Sequence, residues 1–562
     1  MGRFAPLLVL FVVSCASMPP QTPSQTLAAL AEEHWQRQIE DDVSARHQLG
    51  LPIERLPDVS FERAQQDANF ARRLLTRLER IDATQLTDDE QISLAILKHL
   101  HQETVDGLPH FWLQFPVTPY ASQIQPVQTV LGAFIFKSAE DTARYLRLLD
   151  EYARFADRMT AVVREQERRG IRIPKRELPA VRTMLTSAPL TVAEARLQAI
   201  PEDERQAFAK AMHAAISDRV DPALARLNAV FSPDYEANAP DAVGLGQYPG
   251  GADAYRHLIR VHTSLDLTPQ EIHALGLREL ERIDRELAEV RAQLGFTGAK
   301  RDFYSFLQQY WTAQGAFRDP QAHFTAYVRR LEPHLARFFA GMPRAPYDTQ
   351  RLDPAYEASM TFGYYQAPTA DDPAGHYFFN GSPAKPRSII FGGALMAHEL
   401  VPGHHFQIAR QIESESIPLF RRKRYDTAFV EGWGEYAAIL AGEMGLYDTP
   451  HDRAGRLMMD ALLSNRLVVD TGLNALGWTH DQAAQFMRDH TPLTDEEIET
   501  EILRYAVDIP GQALAYKIGS LKMMELRQKA ERQPGFDVKQ FHERLIGSGS
   551  MPLKVLEERV KH

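Results

Sequence analysis

Apolar residues recur at three- and four-residue spacing over long stretches of this chain: 92–100, 139–168, 201–231 and 269–294. On a helix that spacing lines one face, so each stretch can bury a stripe against a neighbour while its other face stays wet. Several helix starts are punctuated. Thr268-Pro269-Gln270-Glu271 combines a cap, a proline at the first helical position and a glutamate able to reach back to the cap. Thr494-Asp495-Glu496-Glu497 repeats the capping box, and Ser138 and Thr191 are further cap candidates. Strand signals are few. The segments 360–365 and 376–380 are short and aromatic, with a turn-rich stretch between them, and 387–391 is a third apolar run. The pattern predicts a mainly α protein with one small β-sheet.

A chain of 562 residues carries roughly three to four domain equivalents, yet no linker divides it. The Pro-, Gly-, Asp- and Asn-rich stretch 232–251 marks a soft boundary between an N-terminal helical region, 26–240, and a second helical region, 241–562. Residues 1–17 read as an export signal: Arg3 supplies the positive start, and Phe4 to Val13 an apolar segment well short of the ~20 residues that span a bilayer. Val12-Val13-Ser14-Cys15 resembles the lipobox of bacterial lipoproteins, in which the cysteine is lipidated and becomes the new N-terminus. Residues 18–25 then form a tether. The expected location is the cell envelope, with a lipid anchor in a bacterial membrane facing the periplasm.

Cys15 is the single cysteine, so an intramolecular disulfide and a multi-thiolate metal centre are both excluded. Any metal must be held by His, Asp and Glu. The net charge of −11 argues against a nucleic-acid partner, and an acidic substrate would need a local basic patch. There is no G-x-S-x-G nucleophile elbow. Gly244-Leu245-Gly246-Gln247-Tyr248-Pro249 begins like a dinucleotide loop but has proline where glycine is needed.

The stretch richest in chemistry is His398-Glu399-Leu400-Val401-Pro402-Gly403-His404-His405. It sets a carboxylate beside one imidazole with two more imidazoles following. On a regular helix, at ~100° per residue, His405 returns to the face of His398 and His404 does not. Pro402-Gly403 breaks that regularity and can bring His404 round instead. The spacing departs from H-E-x-x-H, whose second histidine would fall on Pro402, and looks like that motif with inserted residues. Both His404 and His405 stay open as partners of His398. Downstream, Val430-Glu431-Gly432-Trp433-Gly434-Glu435 offers two carboxylates on one helical face, Glu431 and Glu435. It resembles third-ligand helices of zincin families, some of which favour Glu431 and another Glu435. Imidazole with one carboxylate suits a single zinc ion. Glu399 is then the candidate general base.

A second stretch, Arg504-Tyr505 through Pro510-Gly511-Gln512-Ala513 to Tyr516, places Gln512 and Tyr516 four residues apart on one helical face. The Tyr516 phenol could donate to an oxyanion, and Gln512 and Arg504 could hold substrate. The strand at 376–380 could offer an edge to an extended peptide.

These motifs, with Leu267-Thr268-Pro269-Gln270-Glu271-Ile272-His273 and Gly276, resemble the domain-of-unknown-function 885 family of bacterial proteins, which belongs with the zincin-like metallopeptidases. The resemblance covers roughly the C-terminal half of the chain. It implies a helical, zincin-like fold with a metal-dependent hydrolytic site, in a family with many lipoproteins; the strand signals place the small sheet beside that site. The reading that follows is a zinc peptidase acting on peptide substrates. A metal-dependent esterase or amidase shares the same water chemistry, and a non-catalytic envelope protein with a structural metal is the rival from another class.

Overall fold

The structure, a computed structural model, describes residues 21–187, 190, 192, 194–357, 362–370, 372–382 and 387–561. The export signal, the lipobox with Cys15 and the cap candidate Thr191 lie outside these residues. The first described helix, Pro23–Ile39, starts inside the stretch read as a tether. Thr22 and Gln25 form a reciprocal capping box, which satisfies amides of its first turn.

The periodic stretches are helices: Asp88–Gly107, Ala139–Arg168, and a continuous run from Glu202 to Val230 with a wider π-type turn at Ile216–Val220. Ser138, Thr268 and Thr494 cap their helices through side-chain oxygens. The stretch 232–251 is a seam inside one body. Lys175 N donates to Pro240 O, the Tyr248 hydroxyl bonds Arg172 O, and Leu245 N donates to Asn474 Oδ1 at 2.9 Å. One contiguous apolar core runs from Leu27 to Leu556, so both regions share it.

Six helices position the site: α1 (Pro269–Gln293), α2 (Gly392–Glu399), α3 (His404–Glu413), α4 (Thr427–Glu443), α5 (Pro450–Ala475) and α6 (Leu514–Glu531). α1 lies along α5, and α4 lies along α6. The second pair meets backbone to backbone: a Cβ on Gly432 would sit 2.5 Å from the Cα of Gly519. α5 is buried along most of its length. Its Asp460 reaches Lys517 of α6 at 2.5 Å and Arg282 of α1 at 2.6 Å. Burial alone would raise the Asp460 carboxyl; Lys517, Arg456 and Arg282 outweigh it and hold the group far below the usual carboxylate range. A buried charge with several partners fixes the relative placement of the three helices.

The sheet has three strands, β1 (Tyr347–Arg351), β2 (Gly363–Gln366) and β3 (Gly375–Phe379), in the order β1-β3-β2. β1 is parallel to β3 and β2 antiparallel to it. Two expectations are corrected. The apolar run at 387–391 is not a strand: Arg387–Ile390 is a short helix leading into α2. The third strand is instead the polar β1, in which Thr349 is the buried residue. β3 is central, with a neighbour on each side, so it has no free edge for an extended peptide.

Candidate metal centre

α2 ends at Glu399. Leu400 leaves helical torsions, and the chain turns through Val401-Pro402-Gly403 before α3 starts at His404. Pro402 has no amide to continue the helix. Gly403 lies hard against the end of α2, where a Cβ would be 1.8 Å from the carbonyl oxygen of His398. Only glycine allows the chain to double back so tightly, and the doubling back sets His404 beside His398. Their ring centroids are 4.5 Å apart, with the planes at 78°. Trp433 of α4 clamps this turn: its indole N–H is shared between Pro402 O at 2.9 Å and Gly403 O at 3.2 Å.

α4 supplies the carboxylate. Glu431 Oε2 lies 3.5 Å from His398 Nε2 and 3.3 Å from His404 Nε2. The three ligand atoms all fall within 4.8 Å of one another. Tyr425, just before α4, donates to the other oxygen, Oε1, at 2.9 Å, which fixes the rotation of the carboxylate. Gly434 makes room for the imidazole, since a Cβ there would be 2.8 Å from His398 Cε1. These distances fit a metal. Zinc bonds of about 2.0–2.1 Å in a tetrahedron put ligand atoms about 3.3 Å apart, close to both measured edges.

The electrostatics also favour a cation. Burial pushes His398 down, but Glu431, Glu435 and Glu399 outweigh it and lift the imidazole to about 10. Burial would raise Glu431, yet His398 and His404 hold it well below the usual range. Desolvation raises Glu399, against the pull of His404 and His398. Glu399 is only partly buried, while His398, His404 and Glu431 are buried, so the candidate base is the group nearest open space.

Two sequence-level candidates fall outside the cluster. His405 points the other way: its Nε2 meets Ala345 O at 3.1 Å and its Nδ1 meets the Tyr365 hydroxyl at 3.1 Å. It is fully buried, and burial pushes it down to about 4, which makes it a neutral packing residue. The regular-helix argument for His405 fails because the break restarts the helical phase at His404. Glu435 sits on the opposite nitrogen of His398, 3.9 Å from Nδ1, and is paired with Arg456 of α5 at 2.6 Å. One helical turn along α4 carries it past the cluster to the back of the imidazole.

Tyr516 of α6 stacks near His398, with centroids 6.1 Å apart and planes at 18°. Gln512 does not share its helical face. It lies in the turn before α6, and its Oε1 accepts from Arg504 Nη2 at 2.7 Å. The cluster also depends on residues to which sequence reasoning gave no role: Tyr425, Arg456, and Arg466, whose guanidinium lies 4.9 Å over the Tyr516 ring. Their parts depend on loop and helix packing, and no local pattern announces them.

Two solved structures share the fold. The crystal structure of a "putative lipoprotein" from Colwellia psychrerythraea is 23% identical, with a TM-score of 0.86, covering 96% of this chain and 99% of that one. A "putative lipoprotein of unknown function" from Shewanella oneidensis is 18% identical, with a TM-score of 0.73, covering 97% of this chain and 100% of that one. No curated protein matches the sequence. Residues 44–560 match the family described as "Bacterial protein of unknown function (DUF885)", and the chain belongs to that family.

Proposed function

We propose that this protein is a zincin-like zinc peptidase, with His398, His404 and Glu431 as the metal ligands and Glu399 as the general base. The observation that carries the reading is the convergence of two imidazole nitrogens and one carboxylate oxygen within 4.8 Å of one another, with both imidazole–carboxylate edges near tetrahedral spacing, beside a partly open carboxyl. A structural site has no use for that extra carboxyl. Zinc held there would polarise a water molecule and a substrate carbonyl, lowering the pKa of the water to about 7. Glu399 takes the proton of the attacking water and passes it to the leaving amine. The Tyr516 phenol donates to the oxyanion of the tetrahedral state. Tyr425 holds Glu431 in place, as outer partners of metal ligands do, and Glu435 lies behind His398 at 3.9 Å from its Nδ1.

A place in the cell envelope belongs to the same proposal. It is supported by the lipobox at Cys15 and by the lipoprotein descriptions of both structural neighbours. Among the described residues no helix is long and apolar enough to cross a membrane. The test is metal analysis coupled to a peptide-library digest with a chelator control. Glu399→Gln should keep its zinc and lose about 10²–10⁴-fold in kcat. A fully active Glu399→Gln protein, or activity that survives complete metal removal, would sink the reading.

A further inference from the structure

Tyr516 is also part of the wall of a cavity lined by Tyr120, Leu462, Leu463, Arg466, Glu501 and Arg504, among others. The charges in that wall do not cancel. Arg466 is matched by Glu501, at 3.1 Å and 3.2 Å, and bonds the Tyr505 hydroxyl at 3.0 Å. Among the described residues, Arg504 has no carboxylate of its own. Its closest is the same Glu501 at 3.7 Å, its Nη2 is given to Gln512, and its Cζ lies 4.7 Å from the Tyr120 ring centroid. Arg504 is 7% exposed, and its Nε has no hydrogen-bond partner. Asp470 and Asp508 are within its electrostatic reach but are not part of the cavity wall. Asp470 spends its oxygens on Tyr255, Asn474 and the Gly511 amide, and Asp508 accepts from the Tyr120 amide.

A buried guanidinium with an unspent donor is costly, and a carboxylate is the group whose geometry satisfies it in two-point fashion. The apolar walls strengthen that pairing by excluding water. The cavity shares Tyr516 with the metal centre, where that ring stacks 6.1 Å from His398, and Phe391 and Leu395 at the start of the His398 helix also line it. In a chain of net charge −11, a local excess of positive charge beside the site is the basic patch that an anionic substrate requires.

We propose that the Arg504 and Arg466 cavity seats the free α-carboxylate of a peptide substrate, so that cleavage occurs at the C-terminal end of the chain. This rests on the hydrolytic reading above and adds the substrate class to it.

The test compares three peptides of one sequence: the free acid, its C-terminal amide, and an amide with glutamate at the last position. Turnover by the zinc-loaded full chain should favour the free acid over the plain amide by about 100-fold in kcat/KM, carried mainly by KM. In Arg504→Gln that ratio should collapse toward one. Binding to the Glu399→Gln protein, measured by calorimetry, reads the same preference without turnover and without altering the cavity. Equal binding of acid and amide there overturns the proposal, even if both peptides are hydrolysed by the unaltered chain. Preferential binding of the acid without any turnover upholds the carboxylate site and sinks the peptidase reading. If the glutamyl amide binds as well as the free acid, the carboxylate comes from a side chain and the C-terminal assignment is overturned.

Discussion

Replacing Gly434 by alanine should weaken metal binding while leaving the fold largely intact. Helix propensity alone makes Gly→Ala inside α4 favourable by about 1 kcal/mol. The structure reverses the sign. The new methyl would sit 2.8–2.9 Å from Cε1, Nδ1 and Nε2 of His398. Ordinary contacts need about 3.5 Å, so the ring must give way by about 0.7 Å. Overpacking of this kind costs about 1–3 kcal/mol, which offsets or exceeds the propensity gain. A metal ligand tolerates about 0.2 Å of misplacement, so zinc affinity should fall by at least about 10–100-fold, the loss seen when a ligand's outer partner is removed. Gly442→Ala is the control on the same helix, because its methyl would meet Tyr447 at 3.4 Å, an ordinary contact. Zinc affinity is read by competition with a chromogenic chelator, and stability by thermal melts. A Gly434→Ala protein that holds zinc as tightly as Gly442→Ala would refute the argument that this face of α4 cradles a liganding imidazole.

The two adjacent histidines should part company. His404→Ala should release the metal with little loss of stability, whereas His405→Ala should keep it and lose about 1–3 kcal/mol through the orphaned Ala345 carbonyl and Tyr365 hydroxyl, read by metal analysis and urea melts. Tyr516→Phe should retain zinc and lower kcat by about 10²–10³-fold on any cleaved peptide, with KM little changed. His376 gives a pH signature in the sheet. Burial lowers it, but Asp348 at 2.5 Å and Asp372 at 3.0 Å outweigh that and raise its pKa above the ordinary value. A raised folded-state pKa stabilises below the unfolded value near 6.5 and ceases to do so as pH rises through the folded value. The Tm difference between the unaltered chain and His376→Gln should therefore be largest below about pH 6 and shrink above that range.

The helices were legible because each carries its own evidence: Thr268 and Thr494 announce starts whose capping bonds depend on residues three positions away. β1 was not, since Tyr347–Arg351 is polar and becomes a strand through its pairing with β3. The site was half legible. His398, Glu399 and the Glu431 helix follow from residue type and spacing. The choice between His404 and His405 does not, because helical phase is lost through the break at 400–403 and restored by the packing of Gly403 on α2. Glu431 and Glu435 share a face in sequence, and what separates them is Arg456, supplied by a different helix. Tyr425 was invisible for the same reason: its partner, Glu431, lies across a helix start.

The most direct test of the central claim is anomalous diffraction at the zinc edge from crystals of the purified protein. One peak is predicted per chain, about 2.0–2.2 Å from His398 Nε2, His404 Nε2 and a Glu431 oxygen, with a solvent molecule completing the sphere. A zinc-replete crystal with no peak between those three side chains, or with the ion bound to His405 instead, would contradict it.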